Sequence, residues 1–479
     1  MRWIAHILFI NICIVSGFYS PLTLAQNLDD LEAEMKDQKD FTPESEAIVM
    51  SLKVAIEKGL RKNNPQKIRD YSREIIELNF QDAFEEFWLP QLNLTVQTND
   101  HYVESFYSDQ EDNTLPKSPN GYVGIEFEEY TVFNWGRDYL NYLNQKATYE
   151  REKQRLTEQK RFLRFQIIDQ YFNTKRLQKI RRIKRSQLRH TSFMYRLNKE
   201  KLALKKINKQ QLFQAKGEFL RAHKEYQDAN AEAAAAEEQL AELVGDSLDT
   251  TYTLTNEIKV KPFTLGKGES INFAKLRSPT IRQARVDLHN SNRDFERTRK
   301  ENLPLPKFSV RLGAYRNSFS KAGNTETVTT NGNSRNVELA ASINMTWRLF
   351  GSGGLFNSRD LERSYFNKRI SEINFSEARR EISTNINVFH KRIKYLEKEI
   401  EATRLQRDNN RNSFDITLDR YIAGKTDFPN MKLVLDGLIQ AEENYENAKY
   451  EHMSERLNLA NFIGIDDFPG EKFEDMILK

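Results

Sequence analysis

Two parts of the chain alternate apolar and polar residues in the way that β-strands do. In the first part, apolar residues occupy every second position before and after a polar turn at residues 109–120: Leu92, Leu94 and Val96, then Val123, Ile125 and Phe127. In the second part, they flank a loop rich in Gly, Asn and Thr: Phe308, Val310, Leu312 and Ala314, then Val337, Leu339, Ala341, Ile343, Met345 and Trp347. The pattern predicts two hairpins of long strands, each with one apolar and one polar face.

Helical periodicity of unusual length follows each predicted hairpin. Residues 137–198 and 355–421 contain no proline, and their apolar residues recur three and four positions apart. At 1.5 Å per residue, each helix would be roughly 90–100 Å long. A second helix follows a break in each half, at residues 199–206 and 423–429, and returns to Gly245 and Gly464. We therefore expect two antiparallel helical hairpins with narrow seams.

The two halves repeat one plan at an offset of about 215 residues. A proline-interrupted helix opens each half, at residues 51–86 and 271–301, and is followed by a strand hairpin and a helical hairpin. The predicted division is a signal peptide (1–25), an N-terminal extension (26–48), a first repeat (49–250, with a β-hairpin at 91–134 and a helical hairpin at 137–245), a linker (251–268), a second repeat (269–465, with a β-hairpin at 306–349 and a helical hairpin at 355–464) and a tail (466–479).

The N-terminus and the composition indicate an exported chain. Residues 1–25 combine a basic end, an apolar run and small residues before a cut after Ala25, so we interpret them as a signal peptide. The only cysteine, Cys13, lies within it, which excludes disulfides, thiolate metal sites and cysteine catalysis from the exported part. Hydrophobic residues make up 38% and charged residues 30% of the 479 residues. This balance favours extended helices over a thick core.

Four amphipathic strands are too few to close a barrel, because barrels begin at about eight strands. Left alone, they would expose two edges and an apolar face. An ordinary half-buried hairpin is the alternative for each strand pair taken singly, but export, repetition and helix length together favour a membrane barrel. The predicted fold class is an α+β membrane protein. It has long antiparallel α-helical coiled-coil hairpins and four transmembrane β-strands per chain, which complete a twelve-stranded barrel and an α-helical tunnel as a trimer.

Several segments resemble the TolC-type outer-membrane efflux family. Residues 51–65 are similar to its opening helix, residues 87–92 to its helix-to-barrel transition and residues 347–354 to its aromatic-glycine exit from the barrel. Arg420, Tyr421 and Gly424, together with residues 447–450 and 457–459, resemble its second helical hairpin. The similarity spans residues 49–465. It implies a homotrimer in the outer membrane of a Gram-negative-type cell, mostly periplasmic, that is a passive exit duct for efflux or type I secretion.

The resemblance also implies partners and functional surfaces. The partners are a periplasmic adaptor, an inner-membrane transporter and outer-membrane lipid, with no nucleic acid. The tunnel entrance is expected at Lys205, Lys206, Asp427, Asn430 and Leu433, and the adaptor-docking tips at Glu200, Lys201, Leu202, Gly424 and Lys425. In the family, acidic residues ring the entrance. Here those positions fall on Asn430, Leu433 and Lys206, and Glu200 replaces the glycine of the first turn. We therefore expect a neutral to basic mouth and an acidic adaptor tip.

The alternation itself assigns the membrane-facing positions. Leu339, Ala341, Ile343 and Met345 are predicted to face lipid, and Phe133, Trp135, Trp347 and Phe350 are predicted to form an aromatic belt at the strand ends. Core packing is the alternative explanation for the aromatic residues.

No catalytic arrangement is found in the sequence. The histidines are scattered without HExxH spacing, and the glycines at 351–354 lack the Lys-Ser/Thr of a phosphate-binding loop. We predict no enzyme activity, no cofactor and no metal. The basic run at 175–185 is either a nucleic-acid patch or a solvated helix face, and its apolar residues at helical spacing favour the solvated face. The alternative function is an exported coiled-coil scaffold or adhesin-like protein without channel activity.

Overall fold

The computed structural model describes residues 47–98, 121–317, 338–351 and 354–475. The predicted signal peptide (1–25), most of the predicted extension (26–48), the polar turn at 109–120 and the end of the predicted tail lie outside the described residues.

Helices dominate both halves of the chain. In order, the first half contains β1 (Ile48–Met50), α1 (Leu52–Lys62), α2 (Asn64–Trp88), β2 (Leu92–Thr98), β3 (Gly121–Phe133), α3 (Arg137–Ala203) and α4 (Lys209–Val244). The second half contains β4 (Tyr252–Leu254), α5 (Lys267–Arg277), α6 (Pro279–Glu301), β5 (Lys307–Asn317), β6 (Glu338–Thr346), α7 (Ser358–Ile422) and α8 (Phe428–Ile463), followed by a 3-10 turn at Phe473–Asp475.

The helical hairpins are as long as the sequence predicts. Helix α3 has 67 residues and α7 has 65, so each is about 100 Å long. Helix α4 packs along α3, α8 packs along α7, and α3 contacts α8, which joins the two hairpins side by side. The predicted fold class of long antiparallel helical hairpins with four long strands is confirmed for the single chain.

Prolines mark the restart of the shorter helices. Pro65 and Pro279 lie in the first turns of α2 and α6, where the missing N–H has no helical partner to lose. The predicted break at residues 199–206 is wrong at its start, because α3 continues to Ala203 and the turn occupies residues 204–208. Residues 199–203 contain neither glycine nor proline and consist of good helix formers, which explains the continuation.

The four long strands form one antiparallel sheet in the order β2–β3–β5–β6. The register places Leu94 opposite Ile125, Ile125 opposite Ala314, and Leu312 opposite Ala341, so the apolar positions share one face. Bulges interrupt the β3–β5 ladder between Phe127 and Phe133. Within the described residues, β2 and β6 each pair on one side only and form the two edges of the sheet.

The largest apolar cluster surrounds the middle of the long helices, where α3, α7 and α8 pass α1, α5 and a short parallel pair of strands, β1 and β4. Tyr171 of α3 is fully buried there, and its hydroxyl donates to the carbonyl of Met50 at 3.0 Å. Asn256, just after β4, accepts from the Leu52 N–H at 2.7 Å. The sequence assigned residues 251–268 to a linker and did not predict this strand pair.

The segment after α8 folds back onto the same cluster. Arg456 is 1% exposed, forms an ion pair with Glu471, and its guanidinium lies 5.6 Å from the ring centroids of both Phe263 and Phe468. Arg164 of α3 pairs with Asp467 at 3.1 Å. These contacts hold the chain end against the helices. None of the described helices is both long and apolar enough to cross a membrane.

Candidate functional site

The two turns that join the long helices have the same backbone design. In the first, Lys205 has a left-handed φ of 58°, and the Lys206 N–H donates to the Lys201 carbonyl at 2.8 Å. In the second, Gly424 has a φ of 73°, and the Lys425 N–H donates to the Arg420 carbonyl at 2.8 Å. Both ends are therefore Schellman-type helix ends, in which a left-handed residue closes the last turn.

This geometry corrects two equivalences inferred from the sequence. Lys205, and not Glu200, occupies the place of the turn glycine, because Glu200 lies inside α3. Asn430 is six residues after Gly424, and the residue six places after Lys205 is Gln211. By position in the two turns, Gln211 is therefore the counterpart of Asn430, and Lys206 is the counterpart of Lys425.

A polar N-cap begins each returning helix. The Asn208 side chain accepts from the Gln211 N–H at 2.9 Å, and the Asp427 carboxylate accepts from the Asn430 N–H at 3.2 Å. Such a cap satisfies a free N–H of the first helical turn. The Asn430 side chain donates to Thr426 at 3.1 Å. The carboxylate of Asp427 therefore caps the first turn of α8.

Tyr421 joins the two turns inside one chain. Its side chain is 2% exposed, and its hydroxyl donates to Asn198 of α3 at 2.7 Å. Lys201 donates to the Tyr421 carbonyl at 2.8 Å, with its ammonium 4.3 Å from the ring centroid. Burial raises the pKa of Tyr421 to about 12, and burial, with the nearby charge of Lys206, lowers the pKa of Lys201. The sequence did not single out Asn198, because its partner is 223 residues away.

The remaining predicted tip residues are mostly open to solvent. Lys205, Lys206, Gly424, Lys425, Asp427 and Asn430 are exposed, and Lys201 and Leu202 are half-buried. Large apolar side chains lie among them, with Leu433 70% and Leu204 65% exposed. The tip thus presents lysines and apolar side chains together.

The sheet separates polar and apolar side chains onto its two faces. On the polar face, Arg311 pairs with Glu126 at 2.6 Å, and Thr95 donates to Glu126 at 2.9 Å. On the other face, Leu94 is 70% and Ile343 is 80% exposed. Ala341 and Met345 share the parity of Ile343 in β6 and are exposed; the Leu339 side chain lies outside the described residues.

The predicted aromatic belt residues lie at one end of the sheet, where β3 and β6 end and β5 begins. The Trp135 indole donates to the Pro306 carbonyl at 3.0 Å, and its ring lies 5.0 Å from that of Phe133. Trp347 follows β6 directly, and Phe350 is exposed against Phe356. Aromatic side chains therefore cluster where the strands give way to helices.

The basic run at residues 175–185 is not a solvated helix face, as the sequence had suggested. Lys175 donates to the Leu254 carbonyl at 2.5 Å, and Arg176 donates to Asn447 of α8 at 2.7 Å. Further along, Lys179 pairs with Glu446 and Lys184 with Glu443, both on α8. Arg176, Lys179 and Lys184 face the α3–α8 seam because α8 supplies polar and acidic partners at matching helical turns, which a single segment of sequence does not reveal. Arg182 remains exposed.

No three His, Cys, Asp or Glu side chains are grouped to hold a metal ion in the part of the chain that the structure describes. His390 hydrogen-bonds Ser270 at 2.9 Å, but both side chains are buried, so the pair is enclosed in the core.

Comparison with known proteins finds one family model and several similar structures. Residues 271–464 match the family model described as outer membrane efflux protein. The fold is similar to that of CusC (TM-score 0.70, 15% identity, 88% of this chain and 93% of that chain). It is also similar to the Campylobacter jejuni CmeC outer membrane channel (0.67, 15%, 88% and 88%) and to the Neisseria gonorrhoeae MtrE outer membrane channel (0.67, 16%, 90% and 94%). No curated protein sequence matches the chain.

Proposed function

We propose a function for this chain on one premise: it carries an outer membrane efflux protein domain at residues 271–464 and has the fold of the TolC-type outer-membrane channels. Three copies form a twelve-stranded barrel in the outer membrane, and their helices continue it as a periplasmic tunnel. The assembly is the passive exit duct of a tripartite efflux or type I secretion system, without chemistry of its own.

The observation that carries this proposal is the unfinished sheet. Strands β2 and β6 leave two edges unpaired within the described residues, and one face exposes Leu94 and Ile343. Free edges and a broad apolar face are both unfavourable in water. Pairing β6 of one copy with β2 of the next removes the edges, and the hydrocarbon of a membrane covers the apolar face.

The helix surfaces next to the β2 and β6 edges of the sheet support the same trimeric arrangement. Helix α2, which leads into β2, exposes Ile68, Tyr71, Ile75 and Leu78 at helical spacing. Helix α7, which follows β6, exposes Phe366, Ile370 and Ile373. When β6 of one copy pairs with β2 of its neighbour, these two apolar stripes come side by side. The strands and helices of each junction would then close together.

The tips are the proposed docking surface for a periplasmic adaptor, which links the duct to an inner-membrane transporter. Lys205, Lys206 and Lys425 are exposed among apolar side chains there. An adaptor tip with carboxylates around an apolar centre complements this surface. The exposed lysines of these tips favour a dedicated adaptor over an adaptor whose surface is complementary to acidic channel tips.

Reconstitution tests the duct directly. The purified chain should migrate as a heat-sensitive trimer, require detergent for extraction from outer membranes, and give stable single-channel currents in planar bilayers. A water-soluble monomer without conductance would refute the channel and favour the alternative of an exported coiled-coil scaffold. A detergent-dependent trimer that never conducts would refute the open duct while leaving membrane insertion intact.

A further inference from the structure

Two helices form the outer edges of the chain between the middle cluster and the turns. There, α4 packs along α3, α3 contacts α8, and α8 packs along α7, so α4 and α7 are the outer helices of the row. Nearer the sheet, the row is α2–α3–α6–α7. Because α3 and α7 run through both parts, β2, α2 and α4 share one edge of the chain, and β6 and α7 share the other.

Helix α4 has a second heptad stripe on the side away from α3. The α3 side is marked by Phe219, whose ring stacks on that of Tyr195 of α3. On the other side, exposed residues recur three and four positions apart: Phe213, Gly217, Leu220, Lys224, Gln227, Ala231, Ala234 and Glu238. Phe213 is 65% exposed. This spacing is that of a helix that packs against a coiled-coil partner.

Helix α7 has a matching stripe on the side away from α8. Its α8 side is marked by Phe414, which is buried in one cluster with Met431 and Leu435 of α8. The exposed residues of the other side again recur three and four positions apart: Val388, Lys391, Tyr395, Lys398, Ala402, Leu405, Asn409, Asn412, Ile416 and Asp419. Both outer helices therefore have a seam that the single chain leaves exposed.

The turns set the two stripes at matching levels. Tyr421 in one turn region contacts Asn198 and Lys201 in the other, so the two tips lie side by side. At 1.5 Å per residue, Glu238 lies about 44 Å above the start of α4, and Lys394 lies about 42 Å above the end of α7. Lys216 and Asp415 each lie about 10 Å above the same ends. Rotational symmetry keeps the tips of all copies at one level.

The charges along the two outer helices are complementary, and their signs reverse once. Near the tips, α4 has Lys209 and Lys216, and α7 has Asp415 and Asp419. Towards the middle cluster, α4 has Glu238 and Glu242, and α7 has Lys391, Lys394 and Lys398. None of these side chains forms an ion pair or a hydrogen bond with another described residue. Complementary charges of this kind determine partner and register more than affinity.

We propose that α4 of one copy packs antiparallel along α7 of the next copy, with Glu238 beside Lys394 and Lys216 beside Asp415. The partner is a second copy of this chain, because the order of charges, their levels and the edges shared with β2 and β6 all match. Tyr395 lies at the level of Ala234 and Ala235, whose small side chains leave room for its ring. The inference rests on the proposed trimer and extends its junction from the barrel to the tunnel.

Cysteine crosslinking tests the contact in the full-length chain in outer membranes. Introduced cysteines are the only thiols of the exported part, because Cys13 lies in the predicted signal peptide. Helices in contact lie about 8–10 Å apart, so a short bismaleimide should link Glu238→Cys of one copy to Lys394→Cys of the next. Most chains of this double variant should migrate as covalent dimers and trimers on a denaturing gel. The matched control pairs Glu238→Cys with Asp415→Cys, about 30 Å apart along the helices, and should stay monomeric.

Charge reversal tests the ion pairs. Lys391→Glu with Lys394→Glu should make trimers separate about tenfold faster in dodecyl sulfate at a fixed temperature, because each junction then sets like charges side by side. Glu238→Lys with Glu242→Lys should have the same effect. The variant that combines all four reversals should separate at nearly the wild-type rate, since it exchanges the charges without removing the pairs.

Two results would overturn the proposal: a conducting trimer that gives no Glu238→Cys to Lys394→Cys crosslink, or a fourfold reversal that separates as fast as either double reversal. Either result would leave the proposed duct intact. A chain that is monomeric in the membrane would refute the duct and this contact together. If the first cysteine pair prevents assembly, Lys216→Cys with Asp415→Cys takes its place, and the absence of that crosslink from trimers would refute the register.

Discussion

Arginine substitution along β6 tests the membrane face with a depth gradient. Ile343 is three residues before Thr346, the end of β6 that the proposed barrel turns towards the periplasm. At about 3.3 Å per residue and a tilt of about 40°, its side chain lies some 7–8 Å inside the apolar band. Because that band is about 25 Å tall, Ile343→Arg should cost about 1–3 kcal/mol per chain, or about 3–9 kcal/mol per trimer. Met345→Arg, one residue from the end, should cost about 0–1 kcal/mol per chain.

The matched control is Asn344→Arg, between these two positions but on the polar face. Asn344 pairs with Ser309, which itself donates to Glu129, so the new arginine has a carboxylate nearby. Ser342 is the poorer control, because it pairs with Arg311 and would place two cations side by side. The assay is the yield of heat-modifiable trimer in outer membranes, together with urea-dependent folding into lipid vesicles. Equal losses for Ile343→Arg and Asn344→Arg would refute the assignment of the two faces.

Three further outcomes are expected. Lys205→Gly should raise the free energy of unfolding by about 1 kcal/mol in a urea titration, because only glycine adopts the left-handed backbone without strain; no gain would contradict that turn geometry. Burial, and secondarily the charge of Arg456, lowers the pKa of His452 to about 4. Stability should therefore fall by up to about 3 kcal/mol as the pH drops from about 6.5 to 4, since only the unfolded chain takes up the proton, and His452→Gln should flatten this part of a pH-dependent melting profile. Gln211→Asp with Asn430→Asp should shift the single-channel reversal potential in a salt gradient towards cation selectivity, and an unchanged potential would show that these residues do not line the entrance.

The long elements were predictable from the sequence because each is specified locally. The alternation of Leu92, Leu94 and Val96 with polar residues is visible within one strand. The absence of proline from residues 137–198 permits one uninterrupted helix over that segment. The observed elements differ from the predicted ones mainly at their ends. Helix α3, for example, continues to Ala203 because no glycine ends it earlier.

What could not be predicted depends on distant partners. Strands β1 and β4 have three residues each, and nothing in either segment shows that the other lies alongside it. The basic run was misassigned for the same reason, because the carboxylates of Glu443 and Glu446 come from another helix. At the tip, the left-handed position of the first turn holds Lys205. Glycine is the usual sequence signal for such a position, so the sequence did not show where this turn lies. The entrance residues therefore stay a prediction, which Gly424 anchors in the second turn and Lys205 anchors in the first.

The apolar stripes show why assembly and membrane insertion should be coupled in the proposed ring. Ile68, Tyr71, Ile75 and Leu78 of α2 are each more than half exposed in the single chain. Burying what remains of these four side chains, and of Phe366, Ile370 and Ile373 on the facing α7, contributes about 6–12 kcal/mol per junction. Association itself costs about 4–15 kcal/mol, so the helices alone leave little surplus. The hydrogen bonds between β6 and β2 must therefore supply the remaining free energy of association. They stabilise the junction most where no water competes for the N–H and C=O groups of the strand edges. A chain of this design is thus expected to trimerise as its barrel enters the membrane, and not before.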